Sequence, residues 1–337
     1  MCDPSRLGRG TTGRTSRWRV GLSALVVACL GAGCGGAGGD AGSSPAVVPS
    51  PSLAATSPAP SSTPAPTPSP SSTPVPPAPT GPVTWTLAWS DEFDGPAGAP
   101  PDPKTWGYDL GDGSAAGIVG WGNNEREYYT DSPDNAATDG EGHLVITVLR
   151  ADGALDCYYG PCEFTSARLL TKDRYEIQYG RIEARIKVPG APGLWPAFWM
   201  LGNDIERVGW PESGEIDIME FVGRRPNEVL GTIHGPGYSG SSGFTGAVDL
   251  GGPVADDFHT FSIDWWPGAI IWRLDGEVFH EARPSDVAPN RWVFDHPFFM
   301  ILNVAVGGNL GGPVAANVDL PQSMVVDYVR LYREAAP

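Results

Sequence analysis

Three acidic residues, Glu215, Asp217 and Glu220, lie close together in one short segment of the chain. In an extended strand, side chains two positions apart point to the same face, so Glu215 and Asp217 share a face. Strict alternation would turn Glu220 towards the apolar face, but a one-residue bulge near Met219 would return it to the polar face. A solvated charged edge is the alternative. Acidic residues have low strand propensity, however, and like charges on one face repel, so the cluster indicates function.

Paired carboxyl groups of this kind are typical of retaining glycoside hydrolysis, in which one acts as nucleophile and the other donates a proton. That chemistry needs the two carboxyl groups about 5 to 5.5 Å apart. On an extended strand the Cα atoms of Glu215 and Glu220 would lie roughly 13 Å or more apart, so we expect a concave sheet that tips the side chains together. With Glu215 ionised and Asp217 close by, like-charge repulsion should raise the pKa of Glu220.

Most of the chain beyond residue 82 consists of short strand-like segments separated by Gly, Pro and Asp turns. The dipeptide Asp275-Gly276 predicts a two-residue hairpin. Because no segment keeps a helical period, we expect an all-β fold, an antiparallel β-sandwich of jelly-roll type with a concave substrate cleft. The predicted strands cover residues 144–149, 180–188, 215–221, 229–234, 258–265, 270–274, 298–306 and 324–332.

The composition excludes several classes of protein. The 337 residues include 45 Gly and 35 Pro, too many for long helices or coiled coils. The formal net charge of −17 argues against a nucleic-acid partner, because an acidic surface repels phosphate backbones. There is no Gly-x-Ser-x-Gly nucleophile elbow, and the five His form no zinc-binding pair.

Two segments precede the predicted catalytic domain at residues 83–337. Residues 1–33 combine five Arg with a short apolar run, which is typical of a secretion signal. The small residues before Cys34 resemble a bacterial lipoprotein signal, so we expect a lipid anchor on Cys34 that holds the protein at the outer face of the membrane. Free secretion after ordinary cleavage is the alternative. Residues 34–82, almost wholly Gly, Ala, Ser, Thr and Pro, predict a disordered linker.

The remaining cysteines, Cys157 and Cys162, stand as an isolated pair in a turn-rich stretch. In an exported protein this spacing favours a local disulfide. Two free thiols are the alternative, and a zinc site is disfavoured because no second Cys pair or His pair completes it.

The segment Glu215-Ile216-Asp217-Ile218-Met219-Glu220 resembles the catalytic signature of glycoside hydrolase family 16. The match is to the bulged form of laminarinase-like endo-β-1,3-glucanases, in which the Met is the extra residue. The resemblance implies that Glu215 is the nucleophile, Glu220 the acid/base and Asp217 the residue that tunes their charges. It extends over nearly all of residues 85–333 and includes, in family order, WSDEF at 89–93, WGNNE at 121–125, GLWPAFWML at 193–201, IHG at 233–235, LNVAVGG at 302–308 and VDYVR at 326–330.

Sugar binding is predicted for aromatic residues beside the acids. Trp195 and Trp199 are four apart, hence on one strand face, where indoles can stack on pyranose rings; burial of both in the core is the alternative. The resemblance places four further residues in the cleft, namely His234, Asn124, Arg168 and Asn303.

The resemblance implies no cofactor for catalysis but a structural calcium ion away from the cleft. Its ligands here would be Glu92, the carbonyl of Gly142 and Asp327, and surface salt bridges are the alternative for the two acids. We therefore expect a monomeric, extracellular or envelope-anchored endo-β-1,3-glucanase acting on β-glucan. The alternatives are a mixed-linkage β-1,3-1,4-glucanase or galactan hydrolase of the same family, and a non-catalytic glucan-binding protein.

Overall fold

The structure, a computed structural model, describes residue 81 and residues 83–335. The predicted signal at 1–33, the predicted anchor at Cys34 and nearly all of the predicted linker lie outside the described residues. Within the described residues, no helix is both long enough and apolar enough to span a bilayer.

Strands are the predominant regular structure of the described chain. They are β1 (Trp85–Asp91), β2 (Gly107–Asp109), β3 (Glu127–Tyr129), β4 (Ala136–Thr138), β5 (Leu144–Arg150), β6 (Asp156–Cys157), β7 (Gly160–Pro161), β8 (Phe164–Ser166), β9 (Arg168–Leu170), β10 (Glu176–Ile177), β11 (Gly180–Lys187), β12 (Leu194–Gly202), β13 (Glu215–Phe221), β14 (Glu228–His234), β15 (Phe244–Asp249), β16 (His259–Trp266), β17 (Ala269–Leu274), β18 (Glu277–Ala282), β19 (Phe298–Val306) and β20 (Gln322–Glu334). The α-helices are α1 (Ile205–Val208) and α2 (Gly308–Gly311), and 3₁₀ turns occur at Ser114–Ala116, Val119–Gly122, Gly240–Ser242 and Val254–Asp256.

Two large sheets form the sandwich. The ten-stranded sheet has the order β18-β17-β16-β11-β20-β5-β8-β3, with β1 paired to β20 and β4 to β5. The eight-stranded sheet has the order β15-β14-β13-β12-β19-β9-β2, with β10 paired to β19. The expected antiparallel sandwich is confirmed. The one exception in the described sheets is the parallel pair β3 and β8.

The hydrophobic core draws on both sheets. Phe198 of β12 and Phe298 of β19 belong to the same buried cluster as Phe261 and Trp265 of β16. The rings of Trp265 and Phe298 meet edge to face with centroids 5.4 Å apart, so the inner faces of the two sheets are in direct contact.

The acidic strand β13 carries the predicted bulge. Its register against β12 pairs Asp217 with Trp199 and Met219 with Phe198, which leaves Ile218 as the extra residue. Against β14 the register passes from Asp217–Thr232 to Glu220–Leu230, so the bulge spans Ile218 and Met219 and the predicted bulge near Met219 is confirmed. Ile218 and Met219 are both buried, because the bulge turns two consecutive apolar side chains away from the face that carries the acids.

A tryptophan from the opposite sheet holds the bulge in place. Trp272 of β17 donates its indole N–H to the backbone carbonyl of Asp217 at 2.7 Å in the buried interior. Gly231 of β14 lies where this indole packs, and a Cβ at that position would lie only 2.5 Å from the Trp272 ring. Loss of the indole would remove this buried hydrogen bond, at a cost of about 0.5 to 1.5 kcal/mol.

The predicted strands match the observed ones closely. The predictions for 215–221 and 298–306 agree with β13 and β19 at both ends, and the other six differ by a few residues at their ends. The predicted hairpin forms as well, since Leu274 pairs with Glu277 across Asp275 and Gly276. Both turn residues have positive φ, as a turn of this type requires.

Candidate active site

One face of the eight-stranded sheet carries the predicted acids and most of the predicted cleft residues. A single cross-strand row contains Glu220, Ala197, Asn303, Arg168 and Asp109, on β13, β12, β19, β9 and β2. Directly paired residues point to the same face, so Asn303 and Arg168 lie on the face of Glu220. The strand order therefore assembles residues that are far apart in the sequence.

Tryptophan N–H groups hold the two predicted catalytic glutamates. Trp210, which is 46% exposed, donates to Oε2 of Glu215 at 2.6 Å. Trp195 of β12 donates to Oε1 of Glu220 at 3.1 Å. Each indole therefore fixes one oxygen of its carboxyl group.

Asp217 and His234 form a close pair beside the glutamates. Nε2 of His234 lies 3.2 Å from Oδ2 of Asp217 and 3.9 Å from Oε1 of Glu215. Burial raises the pKa of Asp217 well above its usual value, and the charges on Glu215 and Glu220 add to this effect. Burial alone would lower the pKa of His234, but the neighbouring carboxylates outweigh it and raise that pKa to about 9.

Glu220 has the environment of a proton donor. Its pKa is raised to about 7, with burial as the largest cause and the charge on Glu215 as a further one. The positive charge on His234 acts in the opposite direction and lowers it. The pKa of Glu220 is therefore raised, as expected, but burial rather than like-charge repulsion is the larger cause.

A chain of hydrogen bonds supports the cleft from behind Trp199. Trp199 donates to Oδ1 of Asn303 at 2.7 Å, and Asn303 donates to the Tyr129 hydroxyl at 3.0 Å. That hydroxyl donates to Oε2 of buried Glu125 at 3.2 Å, and Asn123 donates to the other oxygen. Because each donor in this series has a defined acceptor, the hydrogen bonds orient the side chains of both Trp199 and Asn303.

Arg168 lies between two indoles at the edge of the cleft. Its guanidinium carbon is 4.6 Å from the ring centre of Trp121 and 4.8 Å from that of Trp199. Nε of Arg168 lies 3.0 Å from the carboxylate of Asp109. The stack continues the aromatic surface outward from Trp199.

Comparison with known proteins places this geometry in a family. Residues 124–330, more than half of the chain, match the model of glycosyl hydrolases family 16. The chain belongs to that family. A beta-glucanase of Rhodothermus marinus is 40% identical over 259 residues, covering 74% of this chain and 85% of its own. A glucan endo-1,3-beta-glucosidase of Cryptopygus antarcticus is 41% identical over 243 residues, covering 68% and 83%.

A solved structure agrees with the sequence relatives. The laminarinase catalytic domain of Thermotoga maritima MSB8 superposes on this family 16 chain with a TM-score of 0.70 at 46% identity. The match covers 75% of this chain and 99% of that domain. The family assignment and the β-sandwich fold expected from the sequence are therefore both confirmed.

The structure brings most of the predicted site residues of this family 16 domain together. Trp195 and Trp199 are half-buried on the acid-bearing face, which excludes the alternative that both are core residues. Asn124 lies outside this set of contacts, because its amide donates to Asn309 at 2.9 Å rather than to one of the other predicted site residues. The roles of these side chains in substrate binding stay predictions.

Several residues of the site were missed from the sequence. Trp210, Trp121, Asp109, Tyr129 and Glu125 contact the acids or the cleft residues. Trp121 and Glu125 lie within the matching segment 121–125, and Trp210 lies five residues before Glu215, so proximity to these motifs was the available signal. Nothing local in the sequence marks Tyr129 or Asp109.

The predicted calcium ligands make other contacts. Both oxygens of Glu92 accept hydrogen bonds from Arg330, at 2.9 and 2.8 Å. Oδ2 of Asp327 accepts one from Arg185 at 2.6 Å. A Cβ atom placed on Gly142 would lie 3.8 Å from the carbonyl oxygen of Glu92, so the backbone segments at these two residues are close. The calcium site stays a prediction, and the side-chain contacts favour the salt-bridge alternative.

The predicted bridge between Cys157 and Cys162 is formed, with Cα atoms 5.0 Å apart. It closes the small hairpin of β6 and β7. This part of the sequence analysis is confirmed, and the two free thiols weighed there are excluded.

The pH dependence of this family 16 domain should report on Glu220. Because its pKa is raised to about 7, it keeps its proton below that pH and loses it above, so kcat/KM should fall as pH rises through about 7. The positive charge on His234 lowers this pKa, so His234→Gln should move the alkaline limb to higher pH. A pH–rate profile of both proteins on an unactivated glucan checks this, and a limb that moves to lower pH in the variant would contradict it.

Proposed function

We propose that the protein is an endo-acting, retaining β-1,3-glucanase that hydrolyses internal bonds of laminarin-like glucans. The observation that carries the proposal is the unequal environment of two carboxyl groups on one face of β13. Glu215 is held by an exposed indole, whereas buried Glu220 has a pKa raised to about 7. The printed names of the relatives, glucan endo-1,3-beta-glucosidase and laminarinase, support the substrate class.

The first step follows from the atoms that are left free. Oε1 of Glu215 attacks the anomeric carbon while the bond from that carbon to the leaving oxygen breaks. Oε2 of Glu220 carries the proton and gives it to the leaving oxygen, since Oε1 accepts from Trp195. The product is a glycosyl ester on Glu215, and the leaving chain departs with a new hydroxyl group.

The second step reverses the proton transfer. Glu220, now ionised, takes a proton from water as the water oxygen bonds to the anomeric carbon. The ester bond to Glu215 breaks and returns its electron pair to the carboxylate, so two inversions give net retention. Asp217 and His234 hold a proton beside Glu215, which limits the negative charge in the cluster.

The location of the enzyme is part of the proposal. We infer that it acts outside the cytoplasm, anchored through Cys34 or freely secreted, on the basis of the signal-like residues 1–33. The disulfide between Cys157 and Cys162 supports an oxidising compartment.

Product analysis tests the proposal directly. The purified domain should release short oligosaccharides from laminarin faster than from lichenan, and none from agarose or carrageenan. NMR of the first product should show the β-anomer, as retention requires. Initial release of the α-anomer would overturn the mechanism. Faster cleavage of lichenan would favour the mixed-linkage alternative, and cleavage of agarose or carrageenan would favour the galactan alternative.

A further inference from the structure

Exposed apolar side chains are concentrated in two neighbouring segments, residues 110–119 and the hairpin that contains Tyr158. Leu110, Ile118, Val119 and Tyr158 are between 40% and 52% exposed, and they make up four of the seven large apolar side chains exposed in the described residues. We call these four residues the apolar rim. Solvated apolar groups gathered in one place usually mark a binding surface.

The apolar rim continues the cleft outward from the acids. Asp217 pairs across the sheet with Trp199, and Arg168 stacks on both Trp199 and Trp121. The next residue of the path is Gly120, whose Cβ position would lie 3.1 Å from the ring of Tyr158. Because Gly120 immediately precedes Trp121, Tyr158 lies beside the stack of Trp121, Arg168 and Trp199.

The glycine in this path is required for the contact. Gly120 has a φ of 57° and is buried, and a Cβ there would lie only 3.1 Å from the Tyr158 ring, so another residue would be strained and would press against the tyrosine. Ile118 and Val119 immediately precede it and remain exposed. Trp121 follows it and donates its indole N–H to the carbonyl of Gly111, next to Leu110, at 3.2 Å.

The disulfide hairpin fixes Tyr158 in this position. The bridge between Cys157 and Cys162 closes the hairpin, and the backbone N–H of Tyr158 donates to Oδ2 of Asp112 at 2.6 Å. The adjacent Tyr159 donates its hydroxyl to the carbonyl of Arg126 at 2.5 Å. A residue whose backbone is held in this way loses less conformational freedom when a ligand stacks on its side chain.

We propose that the apolar rim is a second glucan-binding surface, which holds sugar units of the polymer beyond those in the catalytic cleft. The inference rests on the proposed function. The side chains of the rim are uncharged, which suits a neutral polysaccharide that presents apolar C–H faces to aromatic and aliphatic groups. Its continuity with the cleft favours the far part of the same chain over a separate partner.

Substrate length distinguishes the rim from the cleft. The experiment compares kcat/KM on polymeric laminarin with kcat/KM on an aryl β-laminaribioside, which is too short to leave the cleft. Tyr158→Ala should lower the ratio of the polymer value to the short-substrate value by about 3- to 10-fold, the loss expected for one stacking platform. The double variant Cys157→Ser/Cys162→Ser should lower the same ratio, because it frees the hairpin.

Two matched variants control for structural effects. Tyr158→Phe keeps the ring and should keep the ratio. Leu87→Ala removes a side chain of similar exposure, 50%, from the ten-stranded sheet and should also keep it. An unchanged ratio in Tyr158→Ala would overturn the inference, as would an equal loss on both substrates. Sedimentation showing a dimer that Ile118→Ser dissociates would overturn it too, by assigning the rim to a second copy. If the unaltered protein cleaves neither substrate, the proposed function itself fails.

Discussion

Glu215→Gln should abolish laminarin hydrolysis, with kcat reduced by at least about 10⁴-fold, as for loss of a nucleophile in other covalent mechanisms. The amide has nearly the shape of the carboxylate, so the fold and oligosaccharide binding should be retained. In the unaltered protein the indole N–H of Trp210 donates to Glu215 at 2.6 Å, and the side-chain carbonyl of Gln can still accept this hydrogen bond. Initial rates of reducing-sugar release, with calorimetric binding of laminari-oligosaccharides, measure both effects.

The control for Glu215→Gln is Glu212→Gln. Glu212 is exposed in the loop that leads into β13, and its replacement removes the same charge without touching the cleft. Turnover near that of the unaltered protein in Glu215→Gln would end the assignment. In Glu215→Ala, the cavity left by the side chain should let azide attack the anomeric carbon directly and give a glycosyl azide of inverted configuration.

Glu220→Ala should lower kcat on laminarin by about 10²- to 10⁴-fold, the usual contribution of a general acid/base. An aryl glucoside with a good leaving group needs little protonation to depart, so the loss on that substrate should be much smaller. Added azide, which needs no base, should then replace water in the second step and give a glycosyl azide of retained configuration. Product NMR separates this azide from the inverted product expected of Glu215→Ala.

The control for Glu220→Ala is Glu277→Ala, at an exposed position of β18 on the other sheet. An equal loss on laminarin and on the activated glucoside would show that Glu220 does not donate the proton. If Glu220→Ala gave the glycosyl azide of inverted configuration and Glu215→Ala the one of retained configuration, the two roles would be exchanged. The assignments of fold and family would not change.

The strands and the acidic cluster could be predicted from the sequence because both depend on local patterns. Alternating or continuous apolar residues between turn signals marked β13 and β19 at their observed ends. Three acids on one strand marked the reactive segment, and their spacing required a bulge. The bulge lies near Met219, as predicted, but its hydrogen bond from Trp272 to the carbonyl of Asp217 could not be foreseen, because Trp272 comes from the opposite sheet.

The electrostatics of the site could not be predicted in full, because burial is a property of the folded chain. The sequence indicated a raised pKa for Glu220 from the nearby charges alone. The folded protein adds burial as the larger cause, together with the opposing charge of His234 from the neighbouring strand. The side-chain partners of the predicted calcium ligands were equally hidden, because Glu92 meets Arg330 only where β1 pairs with β20.

The sequence by itself determined the fold class, the family resemblance and the identity of the three acids, because strand periodicity and motif spacing are local properties of the chain. Only the tertiary structure decided how the rest of the cleft is built. Hydrogen bonds through Asn303 link Tyr129 to Trp199, and the ring of Tyr158 packs against Gly120, which precedes Trp121. The partners in these contacts are too far apart in the sequence for a local pattern to encode them. These contacts exist because the strand order of the sandwich brings distant segments to one face, where packing and hydrogen bonding fix the side chains.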